Sequence, residues 1–175
     1  MRVYAGLLLG LATFYAQAQD VGPWKFGMSA DEIRSFTDFS PYKEFSNGDV
    51  ETYEGVFAGA KRNFQFYLSG GKLRRIAILM YEGYELDKAT AAWRGTYAAL
   101  SAQFGAIETP KLAGGPIESL SQQARALVES GIKVQMAPVT QRAEERVFST
   151  FAGGKPPTGG TLYRVAINVD RPPDS

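Results

Sequence analysis

Ser69-Gly70-Gly71-Lys72 has the spacing of a Ser-x-x-Lys nucleophile, in which a lysine amine takes the proton of a serine hydroxyl. That chemistry needs the pair to open a helix, so that both side chains share a face one turn apart. Here two glycines separate two alternating apolar runs, and neither an S-D-N nor a K-T-G partner motif is present in the sequence. The stretch therefore reads as a chain reversal. GGKPPTGG, residues 153–160, has the glycines and lysine of a phosphate cradle but not the G-x-x-x-x-G-K-[ST] order. Its prolines remove backbone N–H donors that such a cradle uses. It reads as a mobile hairpin tip, with Lys155 placed to act as a contact.

Carboxylates come close together at Glu82 and Glu85 and at Asp49, Glu51 and Glu54. Hydrolytic acid–base work would need two of them held about 5–9.5 Å apart across a cleft; the alternative is that they are solvated loop and strand residues. The chain has no histidine and no cysteine. Histidine is the side chain most used as general base and metal ligand near neutral pH. No catalytic, cofactor-binding or metal-binding residue is assigned, and the expectation is a protein that is not an enzyme.

The residues better suited to gripping than to reacting are tyrosines and basic side chains. Tyr53, Tyr67, Tyr81 and Tyr84 combine apolar area with a hydrogen-bonding tip, the combination enriched at protein interfaces. Lys61-Arg62 and Arg74-Arg75 lie at the ends of two strand-like arms, where they could approach one another or serve as cross-strand partners of Glu51 or Glu54. The expected contact surface is Tyr53, Tyr67, Tyr81, Tyr84, Arg62, Arg75 and Lys155. Whether Tyr67 is exposed or in a core depends on which face of its strand the helices cover.

The elements that must position these residues are organised around Arg62–Tyr81. Phe64, Phe66 and Leu68 alternate with Asn63, Gln65 and Tyr67, and after Gly70-Gly71 the return arm carries Ile76, Ile78 and Met80 against Ala77, Leu79 and Tyr81. Period-two alternation on both sides of a Gly-Gly turn predicts a β-hairpin whose second arm is central and covered on both faces. Upstream, Ser29 and Glu32 form a capping box that predicts a helix from Ser29 to Phe36 or Phe39, halted before Ser40-Pro41. Leu86, Ala89, Trp93, Tyr97, Leu100 and Phe104 form one apolar stripe, predicting a helix over residues 86–104 with Asp87 as N-cap and Gly105 as stop. A third helix is predicted over residues 117–130, ended by Gly131, and strands over 132–137, 146–151 and 162–169, the last with one wet face. The sum is an α+β domain: an antiparallel sheet of about six strands with two or three helices on one face, in which an α-β-β-β order occurs twice.

Residues 1–18, MRVYAGLLLGLATFYAQA, have one basic residue, an apolar run too short to span a bilayer and an Ala-Gln-Ala end. They read as a signal peptide, leaving residues 19–175 as a single exported domain, periplasmic or secreted, without a membrane anchor. Arg2 is the only charge in that leader, so the 19 basic and 18 acidic residues of the chain become 18 of each, which argues against nucleic acid as a partner.

Trp24-Lys25-Phe26-Gly27-Met28-Ser29-Ala30-Asp31-Glu32-Ile33, followed by the F-x-F-Y-L-S-G-G-K-L-R-R-I hairpin, resembles small bacterial envelope proteins: the barrel-assembly lipoprotein modules and β-lactamase-inhibitor-like domains. The resemblance covers residues 24–81 and implies short helices set against an antiparallel sheet. The lipid-attachment cysteine of the assembly lipoproteins is absent here. The expectation is a non-enzymatic module that binds another periplasmic or envelope protein, as an accessory factor or an inhibitor. The alternative is a carrier holding a small apolar molecule between the helix over 86–104 and the sheet.

Overall fold

The capping box at Ser29 forms: its backbone N–H donates to Glu32 Oε2 at 2.7 Å, and the Glu32 N–H donates to Ser29 Oγ at 3.3 Å. This starts helix α1, Ala30–Arg34, in a computed structural model that describes residues 21–172. The expected signal peptide lies outside the described residues. The first helix is shorter than the sequence predicts, giving way at Ser35 to a single 3-10 turn over Thr37–Phe39. A meander follows: β1 Tyr42–Glu44, β2 Val50–Phe57, β3 Ala60–Ser69 and β4 Lys72–Gly83. The chain continues as α2 Leu86–Phe104, β5 Ile107–Glu108, α3 Ile117–Glu129, β6 Val134–Pro138, β7 Arg146–Gly154 and β8 Leu162–Asp170.

Among the described residues these strands make one antiparallel sheet of eight, in the order β1-β2-β3-β4-β8-β7-β6-β5. The sequence predicts about six; β5, with two residues, and β1, with three, are too short to show a period and sit at the two edges. Edges this short offer little template for unwanted strand pairing. Because β4 pairs with β8, the two halves of the chain merge into one sheet rather than stacking as two copies. The expected α-β-β-β repeat is also broken, since α3 enters between β5 and β6.

The Gly-Gly reversal joins β3 to β4 as expected. Gly70 and Gly71 have φ of 59° and 72° between the paired Ser69 and Lys72, the left-handed pair a two-residue turn needs to match strand twist. The β2–β3 turn has the same form, but there an alanine, Ala58 with φ 49°, precedes Gly59.

One face of the sheet carries the core. Phe66, Ile76, Val169 and Val147 form one cross-strand row, and Phe64, Ile78, Ile167 and Ser149 the next. Ala89, Trp93 and Leu100 of α2, with Leu120, Ala124 and Val128 of α3, are buried in the same cluster. Each large apolar side chain contributes about 1.5–3 kcal/mol by leaving water. Trp24 closes the other end, its ring centroid 4.7 Å from that of Phe66 and 4.6 Å from that of Phe39. The lead-in is pinned there by Gly27 N–H donating to Leu73 O and Leu73 N–H donating to Met28 O.

Asp87 does not cap α2. Glu85 occupies the cap, its N–H donates to Tyr81 Oη at 3.1 Å, and Asp87 pairs with Arg125 of α3. Strand β8 also departs from its expected wet face: Val165 to Val169 are buried without interruption. The reason is its position between β4 and β7 at the middle of a sheet that curves over the small residues Ala166 and Asn168.

Candidate functional site

The helices leave one face of the sheet uncovered, and its cross-strand rows can be read from the register. Glu51, Gln65, Ala77, Asn168 and Phe148 form one row; Tyr67, Arg75, Asp170 and Arg146 form the next; Asn63, Leu79, Ala166 and Thr150 lie on the other side. Although no helix lies over them, Glu51, Asn63, Ala77, Ala166 and Asn168 are buried. Ala77 and Ala166 are small enough to be covered by their cross-strand neighbours, but the burial of Glu51, Asn63 and Asn168 without a helix above them points to a face that curves inward. Register shifts at Thr52/Gly55, Tyr67/Leu68 and Leu79/Tyr81 provide the bend, because a bulge adds local twist and turns its strand.

Tyr67 and Arg164 measure the curvature. Tyr67 is level with Asp170 across β4, and Arg164 lies six residues further along β8, about 20 Å away along a flat strand. Both nevertheless line one depression of about 430 Å³, with Phe45, Asn47, Asp49 and Gln65. Arg164 also lines a second depression of about 310 Å³, with Ala152, Gly153, Gly154, Lys155, Pro156 and Leu162. Together they make a trough running from the β1–β2 loop to the β7–β8 tip.

The charged groups here are held in place. Arg75 donates from Nε and Nη2 to the two carboxylate oxygens of Asp170 at 2.6 and 2.7 Å, and this fork raises its pKa above the ordinary guanidinium value. Its guanidinium carbon also stands 5.6 Å from the ring centroid of Phe148. Arg164 is paired with Glu82. Asp49 accepts from the Leu68 N–H and from Asn47 Nδ2, both at 2.8 Å, so both of its oxygens are engaged. Tyr67 donates to Gln65 Oε1 at 2.7 Å. Burial pushes the Tyr67 phenol above its usual pKa, with Arg164 pulling against it and Asp49 adding to it.

Of the residues expected to form a contact surface, the structure brings Tyr67 and Arg75 together as direct cross-strand partners and places Lys155 at the far end of the trough. Tyr53 is exposed in the β2 bulge, and Tyr84 is exposed beside Gly160. Tyr81 is turned to the helix side by the β4 bulge, pairing with Val165 and receiving the Glu85 N–H. Arg62 pairs with Gly55 and alternates to the side of Phe64, away from Tyr67. It lies five residues from Tyr67, the partner of Arg75, so the two basic pairs are about 17 Å apart along the sheet and do not converge.

The carboxylates have partners of other kinds. Glu82 goes to Arg164, Glu85 to Lys88, Glu54 to Lys61, and Glu51 accepts from Asn63 Nδ2 at 3.1 Å with Lys43 Nζ at 3.5 Å. Lys72 closes the Gly-Gly hairpin opposite Ser69 and stands 4.0 Å from Glu32, so the Ser-x-x-Lys spacing belongs to a turn. Among the described residues no cluster of three or more His, Cys, Asp or Glu is placed to hold a metal, and no helix is long and apolar enough to cross a membrane.

Sequence reasoning set Asn63, Gln65 and Tyr67 on one strand face without choosing Asn63 or Gln65 as contacts, and it missed Arg164 and Phe45. The signal was present: Asn63, Gln65 and Tyr67 on β3 and Arg164, Ala166 and Asn168 on β8 are the residues that alternate with the apolar ones. No family model matches the chain, and comparison with curated proteins and with solved structures gave no match.

Proposed function

We propose that this chain is an exported, non-enzymatic module that binds another protein of the bacterial envelope on the concave, helix-free face of its sheet, as an accessory factor or an inhibitor. The observation that carries this reading is the contrast between the two sides of the sheet. On the helix side the cavity beside Leu100, Phe104 and Ile167 is about 30 Å³, room for a single water. A small-molecule site needs about 300–1,000 Å³, so that cavity gives the apolar-carrier alternative no support. On the other side, depressions of about 430 and 310 Å³ lie open along a face that presents Tyr67, Arg75, Arg164 and Phe148. Tyrosine and arginine are the residues most often dominant at protein interfaces.

Site-specific photo-crosslinking in exporting cells tests this. A benzophenone side chain placed at Gln65, Tyr67 or Phe148 should give a discrete protein adduct, and the same probe at the exposed Arg94 of α2 or Gln122 of α3 should give none. Equal labelling from both sides, or none from the sheet, would contradict the proposal.

A further inference from the structure

Building on the protein-binding reading, we infer that the trough between Phe45 and Lys155 takes an acidic segment of the partner that carries an aromatic or large apolar side chain beside its carboxylates. At the Phe45 end the apolar surface is supplied by the rings of Phe45 and Tyr67, set among Ser46, Asn47, Asp49 and Gln65. The acceptors there are used internally, since both Asp49 oxygens receive protein N–H groups and Gln65 Oε1 receives the Tyr67 hydroxyl. Asp49 keeps its negative charge, since both of its partners are neutral, and the Ser46 hydroxyl lines the same depression; the groups left to be offered outward are otherwise donors. Gln65 Nε2 has no partner among the described residues, and the Arg164 guanidinium is held by Glu82 through one edge only.

At the other end Lys155 makes no ion pair among the described residues and shares its depression with Arg164, with no acidic residue lining it. Two aromatic rings leading into donors and two cations, Lys155 and the Arg164 that Glu82 holds by one edge, are complementary to an aromatic side chain followed by carboxylates. Charge-assisted bonds from arginine to carboxylate are the stronger class of hydrogen bond, and complementary charge also steers encounter. A neutral segment would meet these donors without charge assistance, and a basic one would set cations against cations.

The test uses the purified chain, labelled with ¹⁵N, and four blocked peptides with the cores Phe-Asp-Asp, Phe-Asn-Asn, Ala-Asp-Asp and Phe-Lys-Lys. The Phe-Asp-Asp peptide should shift the Gln65 side-chain amide, the Arg164 Nε–H and the backbone amides of residues 45–49 and 152–155. Loss of its charge should weaken binding about tenfold, the effect of one charge-assisted bond, and loss of its ring at least about tenfold, from the apolar burial forgone. Arg164→Gln should abolish the response. Glu82→Gln, which removes the counter-charge and leaves the guanidinium in place, should tighten it. No shifts, shifts on α2 and α3, equal binding of the Lys-Lys peptide, weaker binding by Glu82→Gln, or the same shifts from inorganic phosphate alone would each overturn the inference. Crosslinks from Gln65 and Tyr67 that persist when the peptides fail would show that the face binds a protein by other chemistry, whereas loss of both would remove the parent proposal as well.

Discussion

Gly55 should be the least replaceable residue of β2, and the reason is measurable. A Cβ built on it would lie 2.2 Å from Phe64 Cδ2 and 2.6 Å from Cε2 and Cγ, where ordinary contact begins near 3.4 Å. Gly55→Ala therefore requires the Phe64 ring to withdraw by roughly 1.2 Å, the difference between those distances. Phe64 is fully buried, with the Trp24 ring 5.5 Å away on one side and Ile78 paired on the other, so it has no free direction. Overpacking of a fixed core costs about 1–3 kcal/mol. For a domain of this size a loss of 2 kcal/mol lowers Tm by about 4–8 °C. Urea unfolding followed by circular dichroism would read the change as a lower midpoint with an unchanged slope. Phe64→Leu should relieve the clash, so Gly55→Ala should cost markedly less in that background than alone. A Gly55→Ala protein within 0.5 kcal/mol of the parent, or strict additivity of the two changes, would refute the packing argument.

Ser149 is fully buried on the core side and its hydroxyl has no partner among the described residues. Ser149→Ala should raise stability by about 1 kcal/mol, the cost of an unsatisfied buried hydroxyl, and a loss in the same urea assay would point to a bound water. Ala58→Asn places a residue that tolerates positive φ ahead of Gly59; a gain of about 0.5–1 kcal/mol is expected for an Asn-Gly turn, and destabilisation would count against the turn geometry. Burial raises the Tyr67 and Tyr42 pKa values in the folded chain. Their contribution is fully present below the unfolded tyrosine value near ~10 and is lost as pH rises through the folded value, so Tyr67→Phe should flatten, without abolishing, the alkaline fall in stability. The Ser29 backbone N–H, and then its hydroxyl, lower the Glu32 pKa. That contribution is present above the unfolded value and lost as pH falls through the folded one; Glu32→Ala should make the acid limb shallower, and an unchanged limb would argue that the box does not act through charge.

Local chemistry was legible wherever it was self-contained. The Ser29 box, the Gly70-Gly71 turn and the bounds of α2 needed only neighbouring residues, and each forms where the sequence places it. What depends on distant partners was not. β1 and β5 exist because β2 and β6 offer them edges, and the buried open face of β8 exists because the sheet bends. The site was half legible for the same reason. Tyr67, Arg75 and Lys155 could be singled out by residue type, but Arg164 joins them only because β8 returns to pair with β4. Tyr81 was misplaced by a bulge, which shifts side-chain parity without a clear sequence mark.

The pairing of β4 with β8 joins residues far apart in the chain; Arg75 and Asp170, bonded across it, are separated by 95 positions. Everything on either side of that line is built from strands that are neighbours in sequence or separated by one helix. The line is therefore where the greatest loop-closure entropy is lost, and its zipping should set the folding rate. It is also a ready-made recombination surface. Two polypeptides divided between Tyr84 and Glu85 would each carry a whole meander and one unpaired central strand, so supplying them separately should reconstitute the sheet as a split protein.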